Sequence, residues 1–451
     1  MVYWYNKPFM SGSVEIEEEV GGMAKRMVKC LICGAVFEAD ATVCPVCGVG
    51  PENFIPVEAE ETAFSKDTDE RFVVLGTGTA ALSAATAIRA RNGACDIVMI
   101  SNERALPYNR PMLTKNLLHK KGREAFAIHG ASWYREQNIR LITDEIVSSL
   151  DPAHKRVGLS DDTALPYDKC IYALGARCFV PPFPGTHLPE AVTIRTLDDT
   201  ERIATLVPNV TEAVVIGGGV LGLEAAWEIQ KAGVQVSVLE ASERLLPRQL
   251  DARASALLAK IAADAGLNVL TNAKTERILG DGHVSGVLLA DGTQVPAQMV
   301  VISTGVRANT KIASDAGLAV NRAVVVNAFM ETSAADVYAC GDCAEFEGVN
   351  YAVWPEATRM GETAGANAAG ERMSYRNPLP GLTLNTLGTS LYAIGDVGTC
   401  TDARYETVCE EDERRKTLKT DYYIDGRRVG GIRIGDLSDM ERLMQDVAGE
   451  G

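Results

Sequence analysis

No run of about 18 apolar residues occurs in this 451-residue chain, so a membrane-spanning helix is not expected. The opening MVYWYNKPFMSGSVEIEEEV has no apolar core ahead of a cleavage site, and it carries acids where a secretory leader needs bases. The cytoplasm is the expected compartment. Basic residues are in deficit: 44 Lys and Arg stand against 60 Asp and Glu, a net charge of −16. That balance argues against nucleic acid and anionic membrane surfaces as partners. Residues 1–70 hold 13 acids and 5 bases, and residues 1–22 read as an acidic, solvated tail. The sequence also lacks any Glu-x-x-His pair, which excludes a di-iron carboxylate bundle.

Cysteine, by contrast, is plentiful, with eleven residues. In a reducing compartment they point to metal or redox chemistry rather than to a disulfide framework. Four crowd together as Cys30-Leu-Ile-Cys33-Gly and Cys44-Pro-Val-Cys47-Gly, two C-x-x-C knuckles ten residues apart. The small residue after each second Cys lets backbone amides point at the thiolate sulfurs. Two knuckles then make a tetrahedral four-sulfur site that suits either iron or zinc. The segment 23–56 resembles the short rubredoxin domain of rubrerythrins. That resemblance implies iron held by Cys30, Cys33, Cys44 and Cys47, with Phe37 and Phe54 in a small apolar core. The tight spacing between the knuckles also suits a zinc ribbon. Residues 57–70 read as a solvated linker of roughly 20 Å, enough for a small module to lean on its neighbour.

Two nucleotide-binding patterns follow. Arg71-Phe72-Val73-Val74-Leu75 reads as a buried strand running into Gly76-x-Gly78-x-x-Ala81 and an Ala-rich helix, then a strand from Asp96 to Ile100 with Asn102 and Glu103 beyond it. Strand, glycine turn, helix, strand and acid together form a dinucleotide fingerprint: the glycines permit the turn and a close pyrophosphate, and the helix N-terminus favours its charge. The pattern recurs as Ala213 to Ile216, Gly217-x-Gly219-x-x-Gly222, a helix, and a strand from Val234 to Leu239 that ends at Glu240. An acid there bonds ribose hydroxyls and repels a 2′-phosphate, so NADH is expected ahead of NADPH, although Arg244 lies nearby.

Two such units imply two dinucleotides, and residues 71–376 resemble the two-dinucleotide-binding flavoproteins of the pyridine-nucleotide oxidoreductase class. Tyr172-Ala173-Leu174-Gly175-Ala176 and Thr304-Gly305-Val306-Arg307 match the connections between the units, with Leu174 where Thr is usual. Val337-Tyr338-Ala339-Cys340-Gly341-Asp342 matches a second FAD motif. Leu106-Pro107-Tyr108-Asn109-Arg110-Pro111-x-Leu113-Thr114-Lys115 resembles the branch of NADH:rubredoxin reductases, ferredoxin reductases and apoptosis-inducing factor. The likeness implies FAD contacts from Gly76, Gly78, Ala81, Asn102, Glu103, Arg110, Lys115, Val147, Arg195, Asp342 and Trp354. It implies NAD contacts from Gly217, Gly219, Gly222, Glu240 and Gly305. It also sets Lys115 near flavin N5, paired with Glu224, where a cation stabilises the reduced anionic flavin.

The implied architecture is α/β. Two Rossmann-like three-layer domains, for FAD (71–188 and 306–376) and for NAD (189–305), join an N-terminal rubredoxin-like module (23–56) and a C-terminal α+β interface domain (377–451). The last can support a homodimer or shape the open face of the flavin. Many relatives hold a redox cysteine against the flavin, yet no Cys lies between Cys95 and Cys170 or between Cys178 and Cys340. The pair Cys340-Gly-Asp-Cys343 reads as incidental. Electrons therefore need another exit, and a fused iron site is one, feeding a rubredoxin, a rubrerythrin or a flavodiiron-type protein. The competing expectations are an NADH oxidase or diaphorase with a structural zinc ribbon, and an NADH-responsive redox sensor.

Overall fold

The computed structural model describes residues 27–30, 36–42, 44, 50–51, 54–56, 62–118, 122–376, 379, 381–400 and 402–449. Its centre is one construction used twice. In the first unit the strands Val337–Ala339, Lys169–Tyr172, Arg71–Leu75, Asp96–Ile100 and Ile139–Ile142 lie side by side in that order, all parallel. In the second, Ala191–Val192, Met299–Ile302, Glu212–Ile216, Gln235–Leu239 and Asn268–Leu270 repeat the arrangement. The central strands are near-continuous apolar runs because a parallel sheet is covered on both faces, and four of the five residues in Arg71–Leu75 and in Glu212–Ile216 are buried.

Each unit also inserts a three-stranded antiparallel meander, before Lys169–Tyr172 in the first and before Met299–Ile302 in the second. It runs Val147–Asp151, Arg156–Leu159, Ala164–Pro166 in the first and Thr275–Asp281, His283–Leu289, Gln294–Pro296 in the second. The strands Ala176–Cys178 and Val306–Ala308 pair antiparallel where the chain leaves the first unit and returns to it. The helix Trp354–Ala368 then crosses the helix Thr79–Arg91 at backbone contact. A Cβ on Gly361 would fall 2.2 Å from the Ala80 carbonyl oxygen, and one on Gly365 would fall 2.3 Å from that of Ala84. Small residues at this spacing are what allow the crossing.

The C-terminal segment forms a five-stranded antiparallel sheet in the order Leu382–Thr386, Thr389–Gly395, Arg427–Ile434, Thr417–Ile424, Glu406–Asp412, closed by the helix Met440–Ala448. Its core is continuous with that of the second unit: Leu384, Leu391 and Ile432 share a cluster with Leu223, Ile229 and Leu258. At the other end of the chain, Val36–Glu38, Met27–Cys30 and Phe54–Pro56 form a small antiparallel sheet.

Of the stretch 57–70 read as a solvated linker, residues 57–61 lie outside the described residues, and from Thr62 onward it is bonded to the first unit. Thr62 Oγ1 donates to Glu371 (3.3 Å), Lys66 N to the Arg91 carbonyl (2.8 Å), and Gly93 N to Asp67 Oδ1 (2.7 Å). Thr68 and Asn92 exchange further bonds. The polar side chains that suggested solvation serve here as local hydrogen-bond partners. Among the described residues, no helix is long and apolar enough to cross a membrane.

Candidate functional site

Both fingerprint turns are built by the same geometry. Gly76 and Gly217 have φ of +114° and +113°, and a Cβ on either would sit 2.3 or 2.2 Å from the carbonyl oxygen of Ala173 or Ser303. Only glycine fits both the angle and the space. Gly78 and Gly219 are different: each is the extended N-cap of its helix, with no side-chain cap, and nothing lies within 4 Å of a Cβ there. There is thus open space beside both helix N-termini, which is what a pyrophosphate needs. Gly222 cannot carry a side chain, since its Cβ would meet the Gly217 carbonyl at 2.0 Å. Ala81, at the matching position of the first unit, is fully buried.

A cavity of about 1290 Å³ opens from the first of these turns. Gly76, Gly78, Asn102, Glu103, Arg110, Lys115, Val147, Arg195, Asp342 and Trp354 all line it. Arg110 donates to Glu103 Oε1 (2.8 Å) and to the Tyr108 hydroxyl (2.6 Å), and Tyr108 donates in turn to Glu103 Oε2 (2.7 Å). Arg195 Nη2 donates to Asp342 Oδ2 at 2.8 Å. Lys115, from the short helix Met112–Lys115, donates to Glu224 Oε1 of the second unit, and Thr114 donates to Glu224 Oε2. Glu224 is 3% exposed, so this buried carboxylate has both oxygens engaged from across the interface between units. These residues fit a dinucleotide: charged groups are paired in place, and glycines leave room for phosphates.

The remaining expected residues gather elsewhere. Gly217, Gly219, Gly222 and Glu240 stand together at the end of the second parallel sheet, outside the lining of this cavity. Glu240 Oε2 accepts from Gly218 N (2.9 Å) and Oε1 from Ser242 N (2.8 Å), which fixes the carboxylate beside the glycine turn. Gly305 sits in the two-strand link, its carbonyl accepting from Phe179 N. At the N-terminus, Cys30 and Cys44, one from each knuckle, are both buried in a single cluster. Cys33 and Cys47 lie outside the described residues, as does Phe37 in its side chain.

Sequence reasoning missed several lining groups. Ser101, not Glu103, occupies the register position that Glu240 holds in the second unit, directly after the strand end. Thr114 was inside a quoted motif but carried no assigned part. Arg248, Thr383, Asn385 and Ile394 form a wall contributed by the second unit and the C-terminal sheet. Two thiols also line the cavity, Cys178 and Cys340. Cys178 Sγ donates to the Ile194 carbonyl, and burial pushes the Cys178 and Cys340 thiols up from their ordinary range. Cys343 Sγ donates to the Tyr172 and Cys340 carbonyls, and burial pushes it up to about 12. A nucleophilic redox cysteine needs the opposite environment.

Comparison with known proteins agrees with this geometry. The model of a family described as pyridine nucleotide-disulphide oxidoreductase matches residues 70–361. The chain is 33% identical over 369 residues to an NADH-rubredoxin oxidoreductase of Clostridium acetobutylicum, covering 82% of this chain and 92% of that protein. It is 31% identical over 383 residues to a nitrite reductase (NAD(P)H) of Bacillus subtilis, covering 84% of this chain but 47% of that one. The chain thus spans about half the length of that relative. Among solved structures, NADH:rubredoxin oxidoreductase from Clostridium acetobutylicum aligns with a TM-score of 0.73 at 31% identity, over 85% of this chain and 96% of that chain. The α/β dinucleotide-binding fold and the matched motifs together show that the chain belongs to the pyridine nucleotide-disulphide oxidoreductase family.

Proposed function

We propose that this chain is an FAD-dependent NADH oxidoreductase of the rubredoxin-reductase type, with its first one-electron acceptor fused at its own N-terminus. FAD would be held by Gly76, Gly78, Ala81, Asn102, Glu103, Arg110, Val147, Arg195, Asp342 and Trp354, and NADH by Gly217, Gly219, Gly222, Glu240 and Gly305. Bound FAD supplies the conversion between a two-electron hydride and single electrons. Lys115 presents a cation at the cavity wall, and Glu224 with Thr114 keeps it oriented. Glu240 sets the preference for NADH over NADPH by opposing a 2′-phosphate. Cys30, Cys33, Cys44 and Cys47 would hold iron. Iron held there would accept electrons one at a time, so the two electrons of each NADH would leave singly, with one proton released. A rubredoxin, rubrerythrin or flavodiiron-type protein is the downstream partner this chemistry suits.

The observation that carries the reading is the state of the cavity thiols. Cys340 is fully buried and the Cys178 thiol donates to the Ile194 carbonyl, and burial raises both from their ordinary range, so neither is placed as the thiolate that disulfide reduction uses. The exit for electrons must then be something other than a cysteine pair at the flavin, and the N-terminal knuckles supply one. A second reading, an NADH oxidase with a structural zinc ribbon, draws on 29% identity over 403 residues to an NADH oxidase of Methanocaldococcus jannaschii.

Visible spectroscopy with metal analysis on anaerobic protein decides between them. Flavin and ferric-thiolate absorbance, both bleached by about one and a half equivalents of NADH (two electrons for the flavin and one for the iron), is the expected result. Zinc in the site, with flavin bleaching alone, would remove the rubredoxin-reductase reading and favour the oxidase.

A further inference from the structure

We propose that the helix Met440–Ala448 and the strand Thr389–Gly395 form an intramolecular dock for the N-terminal cysteine module, set directly behind one wall of the dinucleotide cavity. Two independent observations carry this. The first is packing. Cys30 and Cys44 share one buried cluster with Tyr392, Ile394, Met440 and Leu443 of the C-terminal domain. Val28, Ala41 and Phe54 of the module pack against that cluster, as do Met112 and Met444. A sheet of strands four, three and three residues long has little core of its own, so apolar surface borrowed from a neighbour is what completes it.

The second observation is reach. With Thr62 to Glu70 bonded to the first unit, only residues 57–61 separate the module's last strand from a fixed point. Six Cα steps from Pro56 to Thr62 span at most about 21 Å. The module is therefore confined to its own chain's neighbourhood and is not a free-swinging carrier.

The dock also meets the cavity. Ile394 belongs to the cluster and lines the cavity as well. Met112, packed on the cluster, opens the short helix whose Leu113, Thr114 and Lys115 line that cavity. The cysteines and the expected flavin site thus share one wall. The use of this wall as an electron path rests on the iron reading above; the dock itself does not.

The test is hydrogen–deuterium exchange on the full chain with FAD bound, comparing the unaltered protein with Met444→Glu and, from the module side, Ala41→Glu. Met444 is only partly buried at the rim of the helix, so a charge there is aimed at the seat rather than at the domain core. Both substitutions are expected to speed exchange in Met27–Cys30 and Phe54–Pro56 roughly tenfold, with Arg71–Leu75 and flavin content unchanged. In the unaltered protein, NADH-driven bleaching of the ferric-thiolate band should proceed at a rate independent of protein concentration. Exchange left unchanged by both substitutions, or a bleaching rate that rises with protein concentration, overturns the dock. A site that holds zinc overturns the iron reading alone, because the exchange result does not depend on which metal is present.

Discussion

Lys115 and Glu224 come from different nucleotide-binding units, and their ion pair joins the two units at the cavity wall. Glu224 is buried and Lys115 partly so, so the pair is held in a medium where orientation matters more than net attraction. Glu224→Gln keeps the volume and loses the charge. Flavin bleaching by NADH, followed anaerobically by stopped flow, should slow roughly tenfold to a hundredfold, equivalent to about 1.4–2.8 kcal/mol. Thr114→Val removes only the hydroxyl's bond to the carboxylate, leaves the ion pair, and should slow it about threefold. Equal rates in all three proteins would show that the pair is structural.

The two kinds of glycine in the first fingerprint turn predict two different failures. Gly76→Ala forces a side chain into a φ of +114° and against the Ala173 carbonyl, so it should destabilise the protein by more than about 1 kcal/mol whether or not FAD is bound. Gly78→Ala has room, and its extended backbone accepts any residue. That variant should melt like the unaltered apoprotein yet retain little FAD, because the methyl occupies the space left for phosphate. Thermal melts of apoprotein with flavin content measured alongside separate the outcomes.

These glycines also mark what the sequence made legible. Period, turn chemistry and spacing located the strands and glycine turns of both parallel sheets, and ten residues that the family resemblance implied for FAD line one cavity. What escaped had no local signal. The strand Glu406–Asp412 carries four acids in seven residues and is almost wholly exposed, as suits an edge strand, so neither hydrophobic alternation nor β-propensity announced it. Ser101 was passed over because a search for an acid settles on Glu103, two residues along, whose carboxylate is engaged by Arg110 and Tyr108. Thr62 to Glu70 looked like a solvated tether because the partners that pin it, Asn92, Gly93 and Glu371, are remote in sequence.

Glu240 is held by two backbone amides at the turn where the second dinucleotide is expected. Glu240→Ala removes the acceptor for ribose hydroxyls and the repulsion of a 2′-phosphate together. The ratio of kcat/KM for NADH to that for NADPH should fall at least about tenfold, mainly through loss of NADH efficiency. An unchanged ratio would move the discrimination to Arg244.

His129 gives the stability of the first unit a pH dependence. It is 5% exposed, stacked on Trp133 at 3.9 Å, and burial lowers its pKa from 6.5 to about 4. Between those values the unfolded chain binds a proton that the folded chain refuses, so stability is complete above pH 6.5 and declines as pH falls towards 4. The slope approaches about 1.4 kcal/mol per pH unit. Melts at pH 7 and pH 5 should differ clearly for the unaltered protein and less for His129→Phe, which keeps the stacking and cannot titrate.

Cys340 and Cys343 supply the sharpest test against thiol chemistry. They spell C-x-x-C beside the expected flavin site, as a redox pair would, yet both side chains are fully buried and the Cys343 thiol donates to main-chain carbonyls. With a pKa of about 12, the thiolate fraction of Cys343 at pH 8 is on the order of one in ten thousand. Iodoacetamide should therefore leave both unlabelled until the protein is denatured. Serine keeps the donated bonds, so the double variant Cys340→Ser/Cys343→Ser should be reduced by NADH within about twofold of the normal rate. A long-wavelength thiolate–flavin absorbance that vanishes in the double variant would instead put these sulfurs in the electron path, and the N-terminal knuckles would lose their reason to be the exit.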